Sequence, residues 1–213
     1  MEKNVQEVKK GLLIIISGPA GVGKGVVCKG LIERNSNIKM SVSATTRQKR
    51  PREVEGISYF FKTPEEFSRM IESGEFLEYM YVFDSNYYGT PKAYVEEELE
   101  SGTDIILEID VNGAMRVKQI YPDAISIFIA PPDLGTLKSR LIGRGTETPE
   151  ALERRFGAAL SEISRIGEYD YIVINDVVDK AVGKIESILS AERSSVKRNK
   201  PLIDKLQKGC NQQ

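Results

Sequence analysis

The chain contains no histidine. Nucleophilic relays built on imidazole are therefore excluded, and so is any metal centre that needs imidazole ligands. Its two cysteines, Cys28 and Cys210, lie far apart and lack the paired spacing of a metal site, so both are expected to be free thiols. No apolar run approaches the roughly 20 residues that cross a bilayer. The charged opening MEKNVQEVKK leads into only a short apolar stretch, with no signal-peptide cleavage site. A cytoplasmic location is the expectation, with no membrane partner. A net charge is missing too: 30 Lys and Arg against 31 Asp and Glu leave −1. Bulk binding of nucleic acid draws on a basic excess and is not expected. There is no internal repeat and no low-complexity linker. Any chemistry must come from Lys, Arg, Asp, Glu, hydroxyls and the backbone.

What is present is a core. The 213 residues are 40% apolar, enough for one compact domain carrying inserts. Four short apolar runs read as buried strands: LLIIIS (12–17), DIILEI (104–109), ISIFIA (125–130) and YIVIN (171–175). Their continuous apolar character suits a parallel sheet covered on both faces. Helical stretches over 24–34, 111–120 and 177–192 alternate with them, which predicts an α/β layer fold. Two segments break the alternation. Residues 38–93 are tyrosine-rich and read as short strands with one helix, started by Thr63, Pro64 and a capping-box Glu66. Residues 131–169 open with APPD and read as helical and rich in arginine, with a helix start at Thr148-Pro149-Glu150.

The first strand runs into SGPAGVGKGVV (17–27). Gly18 to Lys24 fit the phosphate-binding pattern G-x-x-x-x-G-K, set between a buried strand and a helix. Backbone N–H groups of such a turn, with the helix N-terminus, cradle anionic phosphates. Gly18, Gly21 and Gly23 permit the backbone path, and Lys24 offers a point charge. An ordinary Gly-rich strand-to-helix turn is the alternative. The pattern normally continues with a hydroxyl residue that helps hold magnesium, but here Gly25 and Val26 follow. Glu108 and Asp110, at the end of the second core run, share one face of their strand and offer carboxylates to the ion. A pair of solvated carboxylates capping the strand is the alternative there.

Residues 41–61 read SVSATTRQKRPREVEGISYFF and place Arg47, Lys49, Arg50 and Arg52 within six positions. Converging arginines grip phosphate through bidentate forks; a solvated basic loop is the other reading. TTR, a second Arg three residues on, an acid three further, then Gly and Tyr at fixed offsets together resemble the signature of guanylate kinases. GEFLEYMYVFDSNYYGTP (74–91), LEIDVNGA (107–114), IFIAPPDLGTLKSRLIGRGTET (127–148) and VIND (173–176) extend the resemblance along nearly the whole chain.

The resemblance implies a P-loop NTPase-type parallel sheet core flanked by helices, with an inserted GMP-binding subdomain and a helical lid. The core would span 1–37, 94–130 and 170–213, the GMP-binding subdomain 38–93 and the lid 131–169. Gly18, Pro19, Ala20, Gly21, Val22, Gly23, Lys24 and Gly25 would form the ATP phosphate loop, with Asn175 beside the adenine. Arg47, Arg50, Tyr59 and Tyr88 would grip the GMP phosphate, although Tyr59 and Tyr88 also fit a reading as core aromatics. Glu78 would accept from the guanine N1 and N2 groups, and Ser43 and Thr90 would contact the base edge. Asp110 would lie near the GMP base and the metal-bound waters. Arg140, Arg144 and Arg155 would close on the ATP phosphates; Arg154 and Arg165 read as solvated. Mg²⁺ would accompany ATP, held by nucleotide oxygens, water and, through water, Glu108 and Asp110, with no direct protein ligand. The reaction implied is in-line transfer of the γ-phosphoryl group of ATP to GMP. Its acceptor is already an anion, so no strong general base is required. Two rivals stand beside it: a kinase of another phosphorylated acceptor, and an inactive binding module of guanylate-kinase shape, which Val26 favours. Arg52, where the family often has Gly, would sit near the GMP phosphate or face solvent. Asn112 in place of the common Gln is a small departure. The basic stretch from Ser195 is expected to form a short helix and then fray.

Overall fold

The computed structural model describes residues 10–82, 86–142 and 149–210. Nine strands and eight α-helices are found among them, in the order β1 (Leu13–Ser17), α1 (Lys24–Arg34), β2 (Ile38–Met40), β3 (Ala44–Thr45), β4 (Phe60–Phe61), α2 (Pro64–Glu72), β5 (Phe76–Val82), β6 (Asn86–Pro91), α3 (Lys92–Glu100), β7 (Asp104–Glu108), α4 (Val111–Ile120), β8 (Ile125–Ala130), α5 (Leu134–Ile142), α6 (Pro149–Ile163), β9 (Tyr171–Ile174), α7 (Val178–Arg193) and α8 (Lys200–Cys210).

Five strands form one parallel sheet in the order β2-β7-β1-β8-β9. The alternation of side chains sorts the apolar runs to two faces. Ile14 and Ile16 join Ile106, Ile127, Ile129 and Val173 in a core closed by α1 and α7. Leu13 and Ile15 join Ile105 and Leu107 under α3 and α4. Both faces are covered, which is why these strands are apolar at every position. The chain lays β2 and β7 to one side of β1, then β8 and β9 to the other. The order therefore reverses at β1, and the crevice beyond its C-terminal end is where open α/β sheets bind ligands.

The four core strands read from the sequence are all present, as is the α/β class. A fifth, β2, was not anticipated: Ile38 to Met40 pair with Asp104 to Ile106 at the sheet edge, inside the segment read as an insert. Three residues with one buried side chain carry too little pattern to be seen. Helix α3 was missed as well. Its sequence KAYVEEELE is mostly acidic, and only Val95 and Leu99 are buried.

A second sheet, β4-β3-β6-β5, pairs β5 and β6 antiparallel and closes on α2. Its small core holds Ala44, Phe67 and Phe76. Helix α2 starts as expected: Thr63 Oγ1 accepts the Glu66 N–H, and Glu66 accepts the Thr63 N–H in return. Helices α5 and α6 pack through Leu137, Leu141 and Ala159, with Ala20 of the phosphate loop against them. After Arg193 the chain passes through a short 3-10 turn into α8, which buries no side chain. No described helix is long and apolar enough to cross a membrane. Cys28 is buried, Cys210 exposed, and both are free.

Candidate active site

The loop after β1 lies in the crevice. Gly18 has φ 143° and packs so closely on β8 that a Cβ would stand 2.2 Å from the Ile129 carbonyl oxygen. No other residue fits there. Lys24, the first residue of α1, turns back over the loop: its ammonium donates to the Gly18 carbonyl at 2.5 Å and the Pro19 carbonyl at 3.3 Å. Burial pulls the Lys24 pKa down, and the charges of Glu162, Glu108 and Asp110 oppose that.

Two residues frame the loop from behind. Asn175 Nδ2 donates to the Val22 carbonyl at 2.8 Å, and its Oδ1 is buried without a partner. Arg140 Nη1 donates to the Asn175 carbonyl at 3.0 Å and to the Val22 carbonyl at 3.4 Å. Both residues therefore sit at the phosphate loop, bonded to its backbone. Arg155 is half-buried on α6 and Arg154 is exposed. Arg144 lies outside the described residues.

On the other side of the crevice, the basic segment brings its residues together. The Arg47 guanidinium lies 5.4 Å from the centre of the Tyr59 ring, and the Tyr59 and Tyr88 rings meet edge-on at 5.9 Å. Arg47 Nη2 donates to Glu53 Oε1 at 2.7 Å, and the Arg50 N–H donates to Glu53 Oε2 at 2.9 Å. Glu53 thus ties the two arginines together, and Arg47 in turn holds its carboxyl below the usual range. The sequence reading gave Glu53 no role, although the acid three residues after Arg50 was part of the motif. Arg52 is exposed.

Glu78 stands on β5, only 8% exposed. The Thr90 hydroxyl, directly across on β6, donates to its Oε1 at 2.7 Å. Asp110 caps α4 by accepting the Gly113 N–H at 2.6 Å. Gly113 keeps this corner open: a Cβ would lie 3.2 Å from Asp110 Oδ1 and 3.3 Å from Glu78 Oε2, so a larger residue would press on both carboxylates. Burial raises the Glu78 pKa; the Thr90 hydroxyl opposes this and the Asp110 charge adds to it. A cavity of about 510 Å³ opens beside Glu78, Asp110 and Arg116. Ser43 is half-buried next to β3, and its carbonyl takes the Phe60 N–H.

The metal question has a geometric answer. No group of three acidic or thiol side chains forms a metal cage among the described residues. Val26 is 59% exposed and offers no oxygen. Gly25 leaves its position open, and the Glu108 carboxylate lies over it: a Cβ there would be 3.6 Å from Oε2. A carboxylate thus stands beside the position where the usual hydroxyl would project. One expectation is corrected: Arg165 is not simply solvated. It donates to Glu168 and, at 2.7 Å, to Asn112 Oδ1, tying the end of the α6 segment to α4.

A phosphate loop facing a carboxylate pocket and an arginine–tyrosine cluster across one crevice is the layout of a nucleotide-to-nucleotide kinase. Comparison with known proteins agrees. The guanylate kinase family model matches residues 10–192. The chain belongs to the guanylate kinase family. It is 52% identical over 93% of its length to a guanylate kinase of Caldanaerobacter subterraneus subsp. tengcongensis, of which the match covers 96%. It is 50% identical over 92% of its length to a guanylate kinase of Clostridioides difficile, covering 95% of that protein. The crystal structure of guanylate kinase from Anaplasma phagocytophilum superposes with a TM-score of 0.69 at 33% identity, covering 89% of this chain and 90% of that one.

Proposed function

We propose that the chain transfers the γ-phosphoryl group of ATP to the phosphate of GMP, giving ADP and GDP. The observation that carries the acceptor choice is Glu78. A carboxylate this buried, fixed by Thr90 and bordering a cavity, accepts two donors from the guanine edge. An adenine edge would present an acceptor to it and leave a buried charge unpaired. Arg47, Arg50, Tyr59 and Tyr88 hold the GMP phosphate, with Glu53 fixing the arginines, and Ser43 and Thr90 lie at the base edge. The loop from Gly18 to Gly25 cradles the ATP phosphates, with Asn175 behind it toward the adenine.

The reaction needs little covalent help. The attacking oxygen belongs to a phosphate that is already ionised, so Lys24, Arg140, Arg144 and Arg155 act by placing and neutralising charge. Mg²⁺ fits the residues present. It keeps several waters and needs few protein ligands; Glu108, which lies over Gly25, and Asp110 would supply carboxylates for those waters. When bound it would neutralise charge on the transferring phosphoryl group. Residues 38–93 and 131–169 act as an acceptor domain and a lid that close on the crevice and exclude water. The setting we propose is the cytoplasm, with free nucleotides and no nucleic acid as partners.

The test is ADP release from ATP with GMP, AMP, CMP and UMP in turn, titrated with Mg²⁺. Turnover with GMP alone, dependent on Mg²⁺, is expected. GMP binding without turnover would instead support the binding-module reading that Val26 favours, and turnover with another acceptor would reassign the pocket.

A further inference from the structure

The side-chain amide of Asn175 is committed to the phosphate loop. Its Nδ2 donates to the Val22 carbonyl at 2.8 Å, and Arg140 Nη1 reaches the same oxygen from α5 at 3.4 Å. Turned over, the amide would set its own oxygen against that carbonyl, so one orientation alone is allowed. That orientation has a cost. It leaves Oδ1 buried without a hydrogen-bond partner, and buried polar atoms are nearly always paired. Asn175 is 4% exposed and has little freedom to move. Its backbone N–H donates to the Ala130 carbonyl at 2.8 Å, and its own carbonyl accepts from Arg140 at 3.0 Å.

The carbonyl it holds belongs to the Val22–Gly23 peptide. A trans peptide is planar, and its N–H and C=O point opposite ways. Holding the Val22 oxygen toward Asn175 therefore turns the Gly23 N–H away from Asn175. Gly23 has φ 92° and ψ 28° as the N-cap of α1, and no side chain caps that helix end. N–H groups at the head of a helix bind anions, and a left-handed residue in such a turn helps build the concave nest that an anion enters. The same glycine would tolerate the flipped peptide, because it takes either sign of φ. The loop's own sequence thus leaves the orientation open, and the surroundings choose it. The Val22 side chain is fully buried in the core on one side. On the other, the Asn175 amide lies so close that a Cβ on Gly23 would stand 2.7 Å from Nδ2.

We infer that Asn175 is a positioning residue: it keeps the Val22–Gly23 peptide turned so that the Gly23 N–H faces the ATP phosphates. The inference rests on the phosphoryl-transfer reading above, and it separates Asn175 from recognition of the adenine. Its effect passes through the loop backbone. It therefore falls on the triphosphate whatever base is attached, and it leaves GMP alone.

The decisive variant is Asn175→Asp. It keeps the shape and an oxygen at the place of Oδ1, and replaces only the donor to Val22. Asn175→Ala, neutral and smaller, removes both atoms and guards against a loss of fold caused by a buried charge. Three quantities are measured below the melting point of each variant. They are kcat/KM for ATP, the Kd of inorganic tripolyphosphate with Mg²⁺ by calorimetry, and the Kd of GMP by calorimetry without ATP. Tripolyphosphate carries no base to be recognised. Both variants are expected to lose about tenfold or more in kcat/KM for ATP and to weaken tripolyphosphate by a similar factor, with the GMP Kd within about twofold of the parent. Parent-level ATP kinetics in either variant would overturn the inference. So would a loss confined to ATP with tripolyphosphate binding kept, which would make Asn175 a base contact. A GMP Kd that weakens in step would make it a packing residue and overturn the inference too. The parent is assayed first. A parent that binds no tripolyphosphate overturns the inference. A parent that binds it without GMP-dependent ADP release overturns the functional reading, and the tripolyphosphate comparison then decides the inference by itself.

Discussion

Consider the single replacement Glu78→Gln. The parent carboxylate is 8% exposed, accepts the Thr90 hydroxyl at 2.7 Å and stands close to Asp110. In the proposed complex it accepts two further donors from guanine. An amide has one acceptor oxygen. If that oxygen keeps Thr90, the amide NH₂ points at the guanine donors; if it turns to guanine, the NH₂ meets the Thr90 side. Either way at least one charge-assisted bond is lost, about 1.5–3 kcal/mol, and a donor is set against a donor. A total of about 3–4 kcal/mol corresponds to about 10²- to 10³-fold in kcat/KM for GMP. The KM for ATP should hardly move, and the preference for GMP over AMP should shrink. Stability should move the other way. Burial raises the Glu78 pKa in the folded chain, so its contribution is favourable below the unfolded value and is lost as pH rises through the folded one. At neutral pH the ionised group opposes folding. Glu78→Gln should therefore melt above the parent at pH 7, with the gap narrowing as pH falls into the range where Glu78 takes up its proton. Kinetics with GMP and AMP, and melts over pH, read both effects. A GMP kcat/KM within threefold of the parent would refute the recognition argument, and a lower melting point at pH 7 would refute the burial argument.

Further outcomes follow from other sites. Lys24→Ala should lower kcat by about 10²- to 10³-fold, the scale of losing one preorganised electrostatic contact, with circular dichroism and melting close to the parent; near-parent turnover would remove the loop from the mechanism. Phe67→Ala empties the centre of the second sheet, where Phe67 stacks on Phe76 at 4.4 Å and on Tyr87 at 5.3 Å. A change of this kind costs about 3–5 kcal/mol, and calorimetry should show GMP binding weakened more than ATP binding. Asp170 is pulled up by burial, but the Lys118 ammonium and the Ser126 N–H and hydroxyl outweigh this and hold its carboxyl below the usual range. Its stabilisation is present above the unfolded carboxylate pKa and lost as pH falls through the lower folded value. Asp170→Asn should melt lower at pH 7 and lose less on acidification; the partly exposed pair keeps the effect modest.

The parts legible in the sequence are those whose cause is local. β1, β7, β8 and β9 announce themselves because burial on both faces makes every position apolar, and Thr63 with Glu66 marks α2 because a cap is a four-residue event. β2 escapes because its three residues are chosen by pairing with Asp104 to Ile106, a contact 66 positions distant in register. The same division runs through the site. Lys24 and its glycines sit in one contiguous loop whose spacing carries them, and Arg47, Arg50 and Tyr59 sit in one motif that the family resemblance carries. The Glu78–Thr90 bond depends on strand register across the β5–β6 pair, which the motif encodes but spacing does not show. Glu53 stood inside the motif, yet only the folded loop shows it accepting from Arg47 and from the Arg50 backbone at once.

The most direct test of the account follows the phosphorus. ATP labelled at the γ position is incubated with GMP and Mg²⁺, and the products are separated. The account predicts label in the β-phosphate of GDP, none in AMP-derived product when AMP replaces GMP, and labelling slowed by about 10²- to 10³-fold with Lys24→Ala. Label appearing only in inorganic phosphate, or passing as readily to AMP, would contradict it.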